Sequence, residues 1–326
     1  MSTLPAKTAP VIRQRLRTAD IDEHAACLFD WKQHYDQLSP GIFAGEFEEI
    51  VFGPVRLFRE GMNQTVLESG ILPAGSHGLA VIAELDGDGW FDGQAVFPDS
   101  LLLVHGGERF NFRTPRQHQL LAAVIDTARL CDYARQVEHH DPADELGRQG
   151  LPGAAPGRAA AYRAFLLTLF TAVRATPQML ESRFMQRAME QALHGAILEA
   201  LGGGDGQMPA PARLRQTIIE RARACVNETS GEPLSVADLC MRIGVSRRAL
   251  QNSFQEVLDL NPVKFLRAMR LNGVRRALRE AGPQGNTVGD IAARWGFWHL
   301  SRFAADYREM FGERPSDTLK KAMPGL

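Results

Sequence analysis

Two stretches near the C-terminal end repeat the same order of apolar and polar positions. Leu234-Ser-Val-Ala-Asp-Leu-Cys-Met-Arg-Ile-Gly244 is answered by Asn286-Thr-Val-Gly-Asp-Ile-Ala-Ala-Arg-Trp-Gly296. Val236, Leu239 and Ile243, like Val288, Ile291 and Trp295, recur at helical period and define one buried face in each copy. Ser235 and Thr287 stand where an N-cap belongs, each with an aspartate three residues on, the spacing of a capping box. Gly244 and Gly296 end each helix where a left-handed residue is wanted. A second helix follows each turn, with Leu250, Phe254 and Val257 inward in the first copy and Phe303, Tyr307 and Met310 in the second. Helix, short glycine turn and helix is the unit that lays its second helix in a DNA major groove. Between the copies, Asn261-Pro262 opens a long helix through Leu278 that would hold the units at a fixed separation.

Upstream the period changes. Phe47 to Phe52, Val55 to Arg59, Leu79 to Leu85, Trp90 to Phe97, Leu101 to Val104, Phe110 to Phe112 and Leu120 to Ile125 alternate at period two. Turn residues separate them, which predicts an antiparallel sandwich or barrel over 42–126. Residues 22–38 read as a helix or an irregular segment, and residues 1–20 as disordered. Arg158 to Ala175 and Pro177 to Leu201 return to helical period, with Phe165, Leu166, Phe170, Phe184, Met189 and Leu193 among their apolar positions. That face packs on the chain's own strands or shares in a dimer interface. Asp141 to Gly157 reads as a loop, and Gly202-Gly-Gly-Asp-Gly206 with Pro209 and Pro211 as a linker over 202–211. The expected order is therefore residues 21–201 as one domain and 212–326 as another, an α+β chain overall.

Charge sharpens the division. From Ala212 onward 19 Lys and Arg stand against 12 Asp and Glu, a net of +7, which leaves −8 for the residues before it. A basic domain suits a polyanion, because cations that neutralise phosphates release counterions. Cys27, Cys131, Cys225 and Cys240 form no C-x-x-C pair and read as inert thiols of a reducing compartment. His77 and His105 look isolated and His139-His140 lies near a loop, so no metal or cofactor site is expected. No signal-like or membrane-length apolar run is present, which points to a cytoplasmic chain with no membrane partner.

Gly296-Phe297, Arg302-Phe303, Tyr307-Arg308, Phe311-Gly312, Pro315 and Leu319, together with Pro262, Phe265-Leu266-Arg267 and Arg270-Leu271, resemble the signature of the AraC/XylS family of transcriptional regulators. More distantly, Trp31, His34-Tyr35, Phe58-Arg59-Glu60 and Asn63-Gln64 resemble the sensor half of ethanolamine-operon-regulator-like members. The resemblance implies a cupin-like β-barrel effector domain with a helical dimerisation segment. It also implies an activator of a catabolic or virulence operon, a small-molecule effector, a homodimer and contact with RNA polymerase. The family usually carries Arg where Ala305 stands. Enzymatic relatives of the reader use a cysteine in a zinc cluster or on a strand-to-helix elbow, and neither Cys27 nor Cys131 has that setting, so no catalytic residue is expected.

With Leu250 and Phe254 inward, Arg247, Arg248, Gln251 and Asn252 face outward near the start of the first recognition helix. Arg suits guanine O6 and N7, whereas Gln and Asn suit adenine N6 and N7. In the second recognition helix the base candidates are His299, Ser301 and Arg302. Lys264, Arg267, Arg270 and Thr287 are the expected phosphate contacts. Trp295, Phe297 and Trp298 read as core. Ala305 and Asp306 weaken the second helix, so sequence choice is expected mainly from the first. The rival reading is a constitutive DNA binder or repressor whose N-terminal half only dimerises or binds a protein.

Overall fold

The computed structural model describes residues 12–147, 149–153, 157–202, 210–228, 234–281 and 287–322. The expected linker at 202–211 lies largely outside them, as do residues 1–11. The chain opens with β1 (Ile12–Thr18), α1 (Ile21–Ala25), β2 (His34–Gln37), β3 (Gly45–Phe52), β4 (Val55–Met62) and β5 (Val66–Ile71). It continues with β6 (Ser76–Asp86), β7 (Gly89–Phe91), β8 (Gln94–Val96), β9 (Leu101–His105), β10 (Arg109–Arg113) and β11 (Gln117–Asp126). Helices α2 (Thr127–Tyr133), α3 (Ala143–Leu146), α4 (Arg158–Ala175) and α5 (Arg183–Leu201) follow. The C-terminal part is all helix: α6 (Ala210–Glu228), α7 (Val236–Ile243), α8 (Arg247–Leu258), α9 (Pro262–Glu280), α10 (Val288–Arg294), α11 (Leu300–Phe311) and α12 (Pro315–Ala322).

The strands make two antiparallel sheets, one in the order β1-β3-β4-β11-β6-β9 and the other β2-β5-β10-β7-β8. Among the described residues the sheets do not close into a barrel; an isolated bridge between Leu72 and Gly106 joins one to the other. The strands differ from the sequence reading in three places. Residues 12–18, expected to be disordered, pair with β3 from Ile12↔Val51 to Thr18↔Gly45. Strands β2 and β5 are short, mixed in polarity and buried on both faces, so they show no period-two alternation. The expected strand Trp90 to Phe97 is a tight hairpin of β7 and β8, and Phe97 is exposed.

Alternation along each strand sorts side chains into layers. On the larger sheet Ile50, Leu57, Val81 and Leu121 face α4 and α5, where Leu166, Phe170 and Leu193 close the core. The apolar helix pair therefore covers its own sheet. Arg174 of α4 reaches the same sheet, its Nε donating to Glu48 Oε1 at 2.8 Å. The opposite face, with Phe47, Phe58 and Leu120, packs against Phe91, Phe110 and Phe112 of the smaller sheet. The smaller sheet turns Asp36, Leu67 and Asn111 towards the C-terminal helices, and Leu38 and Leu67 join a core with Ile218 and Phe254. The second predicted helix is broken: Pro177–Glu181 is a 3-10 turn, and Ser182 caps α5 afresh, leaving Phe184 exposed rather than buried.

Helix α9 is shared by both helix-turn-helix units. Phe265, Leu266 and Met269 belong to the core of α6, α7 and α8, whereas Leu271, Val274 and Leu278 belong to that of α10 and α11.

Candidate nucleic-acid interface

Each helix-turn-helix unit is positioned by its caps. Ser235 Oγ accepts from the Asp238 amide and Asp238 Oδ2 accepts from the Ser235 amide at 2.8 Å, a reciprocal box repeated by Thr287 and Asp290. Gly244 (φ 76°) and Gly296 (φ 78°) turn the chain through the left-handed region into the second helix of each unit. Ser246 caps α8, accepting from the Ala249 amide at 3.1 Å. Leu250, Phe254 and Val257 are then buried, and the remaining face of α8 is presented outward.

On that face Arg247, Arg248, Gln251 and Asn252 are all exposed, and no side-chain hydrogen bond or ion pair engages them among the described residues. They sit within the first two turns of one helix, so bidentate donors and acceptors project together. On α11, His299, Ser301 and Arg302 are exposed at the N-terminal end beside Ala305. Trp298, read as core, is 73% exposed next to His299. Trp295 and Phe297 do pack against the second core.

The phosphate candidates separate. Lys264 is exposed at the start of α9. Arg267 is ion-paired with Asp306 of α11, so the acid that seemed to oppose DNA neutralises a neighbouring cation instead. Arg270 lies over the Phe297 ring at 5.6 Å, its Nε donating to the Leu266 carbonyl at 3.2 Å. The Thr287 hydroxyl and amide both donate to Asp290 Oδ2, at 2.7 and 3.0 Å, so the capping box occupies them.

The basic domain also spends arginines inside the chain. Arg223 of α6 and Arg276 of α9 each hold Asp36, which is fully buried, at 2.8 Å. Burial alone would raise the Asp36 carboxyl, but Arg223, His34 and Arg276 outweigh it and hold it far below the usual carboxylate range. Arg275 reaches Asp20 at 2.5 Å, and Arg279 pairs with Asp20 and with Glu23, the latter at 3.2 Å. Asn272 exchanges hydrogen bonds with the Gln37 backbone at 3.2 and 3.0 Å, and Asn111 donates to Glu220 at 2.8 Å. Sequence reasoning missed this seam. Its signal was the cluster Asp20, Asp22, Glu23 in a stretch otherwise read as loose.

His77 and His105, isolated in sequence, are brought opposite one another by β6 and β9 with ring centroids 4.7 Å apart. Among the described residues no helix is long and apolar enough to cross a membrane.

A helix-turn-helix domain family matches residues 239–321. Over 103 residues the chain is 42% identical to a probable thc operon regulatory protein of Rhodococcus erythropolis, covering 32% of this chain and 31% of that one. Over another 103-residue match it is 33% identical to a XylDLEGF operon transcriptional activator of Pseudomonas putida, covering 32% of each. The chain thus spans about a third of the length of these curated relatives. Among solved structures, a probable AraC family transcriptional regulator from Rhodopseudomonas palustris CGA009 is 32% identical, covering 33% of this chain and 98% of its own, with a TM-score of 0.30. The AraC-like transcriptional activator CuxR aligns over 86% of this chain and 100% of its own at 13% identity and a TM-score of 0.43. Over residues 239–321 the chain thus carries a helix-turn-helix domain of the kind found in AraC/XylS-type regulators.

Proposed function

We propose that this chain is a sequence-specific DNA-binding transcription factor whose N-terminal half binds a small effector that changes the binding. The single observation that carries the reading is the exposed set Arg247, Arg248, Gln251 and Asn252, presented by a capped helix of a duplicated unit. In this reading α8 and α11 enter major grooves one duplex turn apart, roughly 34 Å. Arg248, Gln251 and Asn252 read bases, His299, Ser301 and Arg302 add a weaker second reading, and Lys264, Arg270 and the start of α10 at Thr287 meet phosphates, while Asp306 holds Arg267 back from one. The operon transcriptional activator among its relatives supports activation, and RNA polymerase is the partner that activation would call for. A cupin-like sensor that pairs with a second copy through its helical segment completes the proposal, and no catalytic step is part of it.

Selection of bound duplexes from a random pool gives the specific site. Replacing Arg248 by Ala is expected to cost about 1–3 kcal/mol on that site and to relax choice at one base pair. Equal loss on selected and random duplexes would remove the base-reading role. For the effector, the full-length protein is melted against a metabolite library and its affinity for the selected duplex is remeasured with each hit. A library that shifts neither melting nor affinity favours a constitutive DNA binder.

A further inference from the structure

The two helix-turn-helix units can be laid on one another through residues that do the same job in each. Leu250 and Phe254 of α8 correspond to Phe303 and Tyr307 of α11, all of them buried. Ser246 at the N-cap of α8 corresponds to His299 at the N-cap of α11. Just before them, Val245 and Phe297 each pack against the core of their own unit. That leaves Trp298 as an additional residue of the second turn, without a counterpart in the first and exposed. The same correspondence sets the outward positions side by side. Arg247, Arg248, Gln251 and Asn252 fall on Leu300, Ser301, Ala304 and Ala305, which are exposed as well, Leu300 to 51%. Where α8 presents two guanidinium groups and two amides, α11 presents one hydroxyl and three hydrocarbon side chains. Leu300, Ala304 and Ala305 also line a groove of about 430 Å³, with the cations Arg308 and Arg314 among its other walls.

We propose that α11 reads the 5-methyl groups of thymines in the major groove through Leu300, Ala304 and Ala305. The inference rests on the DNA-binding reading above and names what the second unit recognises. Every base pair offers hydrogen-bonding groups in the major groove, but thymine alone offers an apolar one. A guanine or cytosine edge pressed against Leu300 would lose its water and gain no partner. A thymine methyl group instead leaves water for a hydrocarbon surface that is itself exposed until DNA arrives. The arginines beside that surface suit a duplex better than an apolar partner, since phosphates border the major groove on either side. Trp298 adds further apolar area at the start of the same helix.

The two units then divide the work by chemistry. The first discriminates through bidentate hydrogen bonds, each of which separates right from wrong bases strongly. The second gains only what burying a methyl group supplies, about fourfold in affinity for each one. Its half-site is therefore expected to favour thymine at each methyl contact while tolerating exchange there better than the first half-site does.

The test is equilibrium binding of the full-length protein to the duplex selected from the random pool, with each thymine in turn replaced by deoxyuridine. That exchange removes the methyl group and keeps the base pair. The base pair at which Arg248→Ala relaxes choice marks the half-site of α8, and the other half-site belongs to α11. Within the latter, one or more exchanges are expected to weaken binding about fourfold each. Leu300→Ser and Ala305→Ser, both at exposed positions and checked by their melting curves, are each expected to abolish the loss at a thymine they touch. Their affinity for random duplexes is expected to stay that of the parent. If no thymine of that half-site responds to loss of its methyl group, methyl reading is overturned and the DNA-binding reading stands. If both variants keep the parent's response at every thymine, the proposal is equally overturned and the groove is left for a protein partner. Selection that enriches no duplex would instead remove base reading from both units.

Discussion

At the scale of single residues, residue type marked which positions face outward and concealed the partners. Arg247, Arg248, Gln251 and Asn252 were legible because the inward positions Leu250 and Phe254 fix the helix phase, and whatever remains must face out. That Asp306 pairs with Arg267 was not, since the two are on different helices and only packing brings them together. Its consequence is measurable. Asp306→Asn frees Arg267 for a phosphate, so affinity for random duplex DNA is expected to rise and the salt dependence of binding to steepen by about one counterion. Filter binding at several salt concentrations checks this, and an unchanged slope would leave Arg267 a structural cation.

At the scale of elements, the helices were read closely wherever period and caps agree, as in α7, α8 and α9, and α4 followed from its period alone. The misses share a cause. Strands β2 and β5 are buried on both faces, so they lack the alternation that marks a half-exposed strand, and Pro177 opens a 3-10 turn that a run of apolar residues disguised as helix. Gly273, in the middle of α9, is explained only by packing: a Cβ there would lie 2.3 Å from the Trp295 ring. Gly273→Ala is accordingly expected to destabilise the second unit by about 1–3 kcal/mol, although alanine is the better helix former. Urea unfolding shows it as a lower midpoint, whereas a raised midpoint would mean that Trp295 moves aside freely.

At the scale of the whole molecule, the opposite charges of the two halves were visible from composition, but their use was misread in part. Four of the arginines that make the C-terminal part basic, Arg223, Arg275, Arg276 and Arg279, face Asp20, Asp22, Glu23 and Asp36 of the same chain. Asp36→Asn leaves Arg223 buried without its counter-charge and is expected to weaken the seam by about 3–5 kcal/mol. Small-angle scattering would register this as a larger radius of gyration at neutral pH, and an unchanged radius would show that the apolar contacts of Leu38 and Leu67 suffice. The pH dependence follows from a carboxyl held low. Its contribution is complete above about pH 4, the ordinary aspartate value, and is lost only as pH falls towards its far lower folded value. The parent chain should therefore stay docked at pH 5, and opening there would contradict the role given to Asp36.

The arginine seam also bears on modularity. Grafting these readers onto another sensor transplants four guanidinium groups fitted to one particular set of carboxylates. Expressed alone, the reader would carry those charges bare, grip random duplex DNA more tightly than the intact chain and so discriminate less between sites. On the proposed reading the N-terminal half would thus also be a counterweight, whose acidic residues set how much of the C-terminal charge is left for DNA.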